Sequence, residues 1–231
     1  MRRAGASCYT VGHLPSPLEW FFAQVGALRV LPLVSLEASP PGRDVARALA
    51  VAGLTVMEVS LDSADALEAI REIAQAVPEM LLGAGAVLRP EQVDEALAAG
   101  ARFVGSPTVD RAVIRRAQQR EVPVIPGVAK HADVIAAARE GVRVARLAVG
   151  PTGDGPRALR GYARLFPSMQ FIPAGPIAVA DVPDYAREPG VLAVASTRLT
   201  PPGASPAEVQ RLAVRAASAA LRAVGLGSRE A

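Results

Sequence analysis

The sequence predicts a (β/α)8 barrel with an extra N-terminal helix, on three observations. Short runs rich in Val, Ile and Leu recur at intervals of roughly 20 residues, each followed by an amphipathic stretch of helical period. The runs are continuously apolar rather than alternating, which is the pattern of strands covered on both faces in a parallel sheet. Eight such units fit a chain of 231 residues closed into one domain. The alternative is an open doubly wound sheet, but no GxGxxG fingerprint follows the first strand.

In chain order, LEWFFAQVG (18–26) reads as an extra helix able to plug the bottom of the barrel, within an N-terminal segment 1–27. VLPLVSLE (30–37) is the first strand-like run, and RDVARALAVAG (43–53) the helix after it, with a glycine stop. LTVMEVSL (54–61) leads into SADALEAIREIAQAV (63–77), whose Leu67, Ile70, Ile73, Ala74 and Val77 share one face. MLLGAGAV (80–87) precedes PEQVDEALAAG (90–100), with Pro90 where a missing N–H costs little and Gly100 where the chain turns. RFVGS with VDRAVIRRAQQR, VPVIPG with HADVIAAAREG, and VRVARLAVG with GPRALRGYARLF continue the rhythm. MQFIPAG pairs with VADVPDYARE (179–188), and VLAVAS leads into a long final helix within 205–225. No linker or low-complexity tract interrupts the pattern, so one domain over residues 1–231 is expected.

Composition narrows the function classes. Apolar residues make up 51% of the chain but nine residues are aromatic, so Ala, Val, Leu and Ile must build the core. The formal net charge is +3, and the arginines are interleaved with Asp and Glu instead of forming a stripe. With few aromatic platforms as well, nucleic-acid binding is not expected. No apolar run reaches the roughly 20 residues of a membrane span. The start, MRRAGASCYTVGHLPSP, has arginines but no apolar h-region, and Cys8 has no second cysteine to pair with. These features point to a cytoplasmic protein. His13 and His131 lie far apart and no metal-ligand set is visible, so neither a metal nor another cofactor is expected.

In a barrel of this type the chemistry sits at the C-terminal ends of the strands. Those ends carry Glu37, Glu58 to Asp62, Gly85 and Ala86, Ser106, Gly127 to Lys130, Arg146 to Gly150, Ala174 to Pro176, and Ala195 to Arg198. Lys130 is the sole lysine among 25 basic residues.

Several of these segments resemble a known family over about residues 28–200. They are GLTVMEVSLDSADALEAIREIA, VPEMLLGAGAVLRPEQVDEALAAGARFVGSP, VPVIPGVAK, PSMQFIPAGPI and GVLAVASTRL. They are similar to the 2-keto-3-deoxy-6-phosphogluconate (KDPG) aldolases, a family that includes 4-hydroxy-2-oxoglutarate aldolases. The GAGxVL–P–Q–AGAxFxxSP run is the most specific element, and it is colinear without gaps. The resemblance implies a TIM barrel, usually a homotrimer. It also implies reversible aldol cleavage of a 2-keto-4-hydroxy acid to pyruvate and an aldehyde, through a lysine Schiff base and without a cofactor.

Carried over residue by residue, the resemblance implies a changed site. The family's acid/base glutamate, in an EVTLRT-like motif, is Glu58 in EVSLDS, and the arginine of that motif is Asp62. Two threonines that bind the pyruvate carboxylate correspond to Ala86 and Ala174, and the paired glycines of the phosphate loop to Gly175 and Pro176. The phosphate serine corresponds to Thr197. The Schiff-base lysine, in a KFFPA-like motif, corresponds to Arg146 in RLAVG. A guanidinium stays protonated and is no carbonyl nucleophile.

Two functions follow as expectations. One is an aldehyde-lyase in which Glu58 moves protons and Lys130, at the end of the fifth strand, supplies a relocated imine-forming amine. The other is a non-catalytic barrel that binds a small anionic metabolite or a partner chain, with Glu58 and Arg146 as a structural ion pair and Lys130 as a solvated lysine at a helix start. His131 is either a proton shuttle or a cap residue. PTGDGP (151–156), Arg157 and Arg198 either close loops and face solvent or help hold an anion.

Overall fold

The computed structural model describes residues 16–36, 41–149 and 154–226. The chain opens with α1 (Pro17–Leu28), then β1 (Val30–Val34), α2 (Gly42–Val51), β2 (Val56–Ser60) and α3 (Ala66–Ala76). Next come β3 (Leu81–Gly85), α4 (Pro90–Ala99), β4 (Phe103–Ser106), α5 (Arg111–Gln119) and β5 (Val124–Val128). The remainder is α6 (His131–Arg139), β6 (Val144–Ala148), α7 (Gly155–Leu165), β7 (Gln170–Gly175), α8 (Val182–Ala186), β8 (Val194–Ser196) and α9 (Pro206–Ala223). A single 3-10 turn, Thr197–Leu199, follows β8.

The eight strands pair in sequence order, all parallel, and β1 closes on β8 with Val30 opposite Val194. The expected (β/α)8 barrel is therefore the observed fold. Because side chains alternate along a strand, each strand feeds two cores. Val56, Leu81, Phe103, Ile125, Val144 and Ile172 fill the interior of the barrel. Met57, Val59, Leu82 and Val104 face outward, against Leu49, Ile70, Ile73 and other helix residues.

α1 lies across the bottom of this interior. Ser16 and Glu19 form a reciprocal capping box, with Glu19 N–H donating to Ser16 Oγ at 3.2 Å and Ser16 N–H to Glu19 Oε2 at 2.8 Å. The cap fixes the start of the helix so that Phe21 and Val25 join the inner core. Phe21 is 1% exposed, and its ring centroid lies 5.0 Å from that of Phe103. Burying an aromatic side chain of this kind contributes about 1.5–3 kcal/mol.

α8 is shorter than the expected 179–188. Pro183 is compatible with the first turn, but Pro189 and Gly190 (φ 74°) stop propagation soon after. Among the described residues no helix is long and apolar enough to cross a membrane.

Candidate active site

The register of the sheet sets the site. Glu58 on β2 stands beside Leu33 of β1 and Gly83 of β3, while Arg146 on β6 stands between Gly127 and Ile172. Val56, Glu58 and Ser60 share the inward parity of β2, and Val144, Arg146 and Ala148 that of β6. At each of these two strands, the charged residue therefore sits one step above the apolar floor of the barrel.

Above that floor a cavity of about 650 Å³ opens at the C-terminal ends of the strands. Glu58 and Arg146 meet in it. Arg146 donates from Nη1 to Glu58 Oε1 at 2.8 Å and from Nη2 to Glu58 Oε2, a two-bonded guanidinium–carboxylate pair. The Glu58 side chain is 4% exposed and that of Arg146 14%, so the pair is buried and the cation keeps a small face to the cavity. Arg146 Nε is buried without a hydrogen-bond partner.

Two glycines make room for the pair. A Cβ on Gly85 would overlap Glu58 Oε1, and one on Gly105 would lie 3.0 Å from Glu58 Oε2 and 3.1 Å from Arg146 Nη2. Strands β3 and β4 thus present bare backbone where the ion pair passes.

Of the residues singled out in the sequence, Glu58, Asp62, Ala86, Arg146, Ala174, Gly175 and Thr197 all line this cavity. Ala86 adopts a left-handed conformation (φ 55°), uncommon for a residue with a Cβ and a form of strain that clusters at functional sites. Asp62 accepts a hydrogen bond from Ser35 Oγ at 3.3 Å. Pro176 follows β7, is exposed and does not line the cavity.

Lys130 departs from the expectation of an amine inside the mouth. It is exposed at the N-cap of α6 and is not among the lining residues. Its neighbours Ala129, Asp133 and Ala136 do face the cavity. Lys130 itself has extended backbone (φ −138°, ψ 162°), which takes it off the helical row that Asp133 and Ala136 form. Asp133 Oδ2 accepts from the N–H groups of Ala129 (3.0 Å) and Lys130 (3.1 Å), so this turn is tied down through its backbone. His131 packs on Tyr162 and Phe166, with centroids 4.7 and 6.0 Å away, which is a packing role. Tyr162 Oη donates to Ala129 O at 3.1 Å, and burial, followed by the charge of Asp133, raises the pKa of its hydroxyl.

Arg157 and Arg198 are exposed and lie outside the lining, and residues 150–153 of the loop after β6 lie outside the described residues. The sequence reading missed Ser35, Thr108 and Asp133. Asp133 carried a signal, since it stands three residues after the N-cap of a helix that starts at the barrel mouth. Among the described residues no group of three or more His, Cys, Asp or Glu side chains is placed to hold a metal ion.

Comparisons with known proteins agree with this fold. The family model described as KDPG and KHG aldolase matches residues 23–213. The 2-dehydro-3-deoxy-phosphogluconate aldolase of Pseudomonas aeruginosa is 35% identical over 173 residues, which is 75% of this chain and 79% of that protein. The structure of the Zymomonas mobilis 2-keto-3-deoxy-6-phosphogluconate aldolase with 3-phosphoglycerate superposes with a TM-score of 0.77 at 32% identity, covering 85% of this chain and 95% of that one. That of the Legionella pneumophila KDPG aldolase, with pyruvate captured at low pH as a covalent carbinolamine intermediate, gives 0.76 at 28% identity over 84% and 96%. The family model matched along most of the chain, together with a relative 35% identical over 75% of it, places this chain in the KDPG and KHG aldolase family.

Proposed function

We propose that this chain is a lyase that cleaves a 2-keto-4-hydroxy acid to pyruvate and an aldehyde without an imine, using Glu58 as the proton carrier and Arg146 as the electrophile. The reading is carried by the Glu58–Arg146 pair at the floor of the mouth cavity. Glu58 takes the proton of the C4 hydroxyl, and the C3–C4 bond breaks to release the aldehyde. The bonding pair passes into the pyruvate enolate, whose oxygen faces the Arg146 guanidinium, and Glu58 returns the proton to C3. Atoms and charge balance with no co-reactant. A hydrogen-bonded cation withdraws less charge than a protonated imine, so turnover is slow compared with a lysine-dependent aldolase.

The active assembly is a homotrimer in the cytoplasm, as the family resemblance suggests. Residues 1–231 act as one domain, with the plug helix and the C-terminal helix as parts of the barrel.

A second reading is favoured by one observation. Both terminal nitrogens of Arg146 already bond Glu58, the arrangement of a neutralised structural pair in a barrel that binds a small metabolite without turning it over.

The test is pyruvate release from 2-keto-4-hydroxy acids, read by coupled oxidation of a nicotinamide, together with borohydride trapping. Release that falls in Glu58→Gln, with no reducible pyruvate adduct, supports the imine-free lyase. An adduct mapped to the peptide containing Lys130 would assign the relocated imine instead. Binding without release would select the non-catalytic barrel.

A further inference from the structure

We infer that the mouth cavity selects a ligand whose far end carries no negative charge, a hydroxylated or amine-bearing fragment in place of a phosphate- or carboxylate-terminated one. This deepens the proposed function and rests on its assignment of the cavity as the substrate site.

The first ground is charge. Glu58, Asp62 and Asp133 line the cavity, and among the described residues Arg146 is the one lining cation. Arg146 already neutralises Glu58 through two hydrogen bonds, which leaves two carboxylates uncompensated by any lining cation. The loop segments 37–40 and 150–153, which follow β1 and β6, contain one glutamate and neither lysine nor arginine. A second anionic group, at the far end of a keto acid, would lose water on entering this mouth and meet like charge.

The second ground is the lack of backbone donors after β7 and β8. Pro176, directly after β7, has no N–H to offer. At the end of β8, the Arg198 N–H is taken by Ser196 Oγ at 2.9 Å, while that hydroxyl donates to Ile177 O at 2.7 Å. The Arg198 side chain is exposed and outside the lining. What the cavity does present near its rim are the hydroxyls of Ser60, Thr108 and Thr197, beside the Asp62 carboxylate. Hydroxyls and carboxylates match a polyol or an ammonium group, whereas hydroxyls set beside Asp62 give a dianion no cation to offset its charge.

The test is calorimetric binding of 2-keto-3-deoxygluconate and of its 6-phosphate ester to the intact protein, at low and at moderate salt. The unphosphorylated acid should bind at least about tenfold more tightly. The gap should narrow as salt screens the carboxylates. Asp62→Arg should reverse the order, and a stacked control, Asp62→Asn, should narrow it without reversing it. Tighter binding of the phosphate ester to the unaltered chain overturns the inference, and so does failure of both compounds to bind. Failure of the proposed lyase reads differently, because binding would keep its preference while no pyruvate is released from either compound.

Discussion

Glu58 and Arg146, 88 residues apart in sequence, hold each other across the barrel mouth through two guanidinium–carboxylate hydrogen bonds, beneath which lies the apolar barrel interior. Removing one partner strands the other as a buried charge. Glu58→Ala or Arg146→Ala should each destabilise the fold by about 3–5 kcal/mol. The double substitution Glu58→Leu with Arg146→Met should cost less than the sum of the two singles. Urea unfolding of the four proteins checks this, and additivity would mean that the pair does not interact in solution.

Arg146→Lys puts a primary amine where the guanidinium now stands, against the same carboxylate. Pyruvate with borohydride should then give one reduced adduct on the peptide containing position 146, visible by mass spectrometry. Pyruvate release should rise by an order of magnitude or more. An unlabelled position 146 in a folded variant would show that the cavity no longer admits pyruvate.

Gly105 offers a way to disturb the pair without touching either charge. A methyl group there falls 3.0–3.1 Å from Glu58 Oε2 and Arg146 Nη2, tighter than most such contacts, so the pair must shift by a few tenths of an ångström. Gly105→Ala should reduce pyruvate release while lowering thermal stability by only a few degrees. Unchanged kinetics would separate the pair from the chemistry.

The plug helix should matter for stability and not for the site. Phe21 packs on Phe103 at the closed end of the barrel, while the ion pair lies nearer the open end. Phe21→Ala should cost about 3–5 kcal/mol, the range for a buried aromatic truncation. At temperatures well below its melting point, KM should be unchanged.

Asp94 supplies a pH-dependent contribution away from the mouth. It accepts hydrogen bonds from Arg116 and Arg120, and the bond from Arg116 is the largest cause holding its carboxyl below the usual carboxylate range. A depressed folded-state pKa stabilises the fold above the unfolded value, and that stability is lost as pH falls through the folded value. Asp94→Asn should therefore be less stable than the parent at neutral pH, with the difference closing as the solution is acidified below the ordinary aspartate range. Urea midpoints measured across that range report it, and a gap that stays constant in acid would rule the linkage out.

Much of this was legible along the chain because the signals are local. Continuously apolar Val/Ile/Leu runs, with stretches of period 3.6 between them, predicted eight strands and their helices, and side chains alternate in parity along each strand. The same parity turned Glu58 and Arg146 inward from β2 and β6. Where local signals conflicted, the sequence reading overshot, as in α8, expected over 179–188 but ending at Ala186, ahead of the Pro189–Gly190 break.

By itself, then, the sequence determined the barrel, its element order, and the glutamate and arginine that point inward near its mouth, since each depends on residue identity and short-range periodicity. Only the tertiary structure decided that Arg146 bonds Glu58 across the barrel, that Gly85 and Gly105 open the space for it, and that Asp133 faces the cavity while Lys130 does not. Those outcomes depend on how strands far apart in sequence are set side by side and on the backbone angles of a single capping residue. No periodicity in the chain encodes either one.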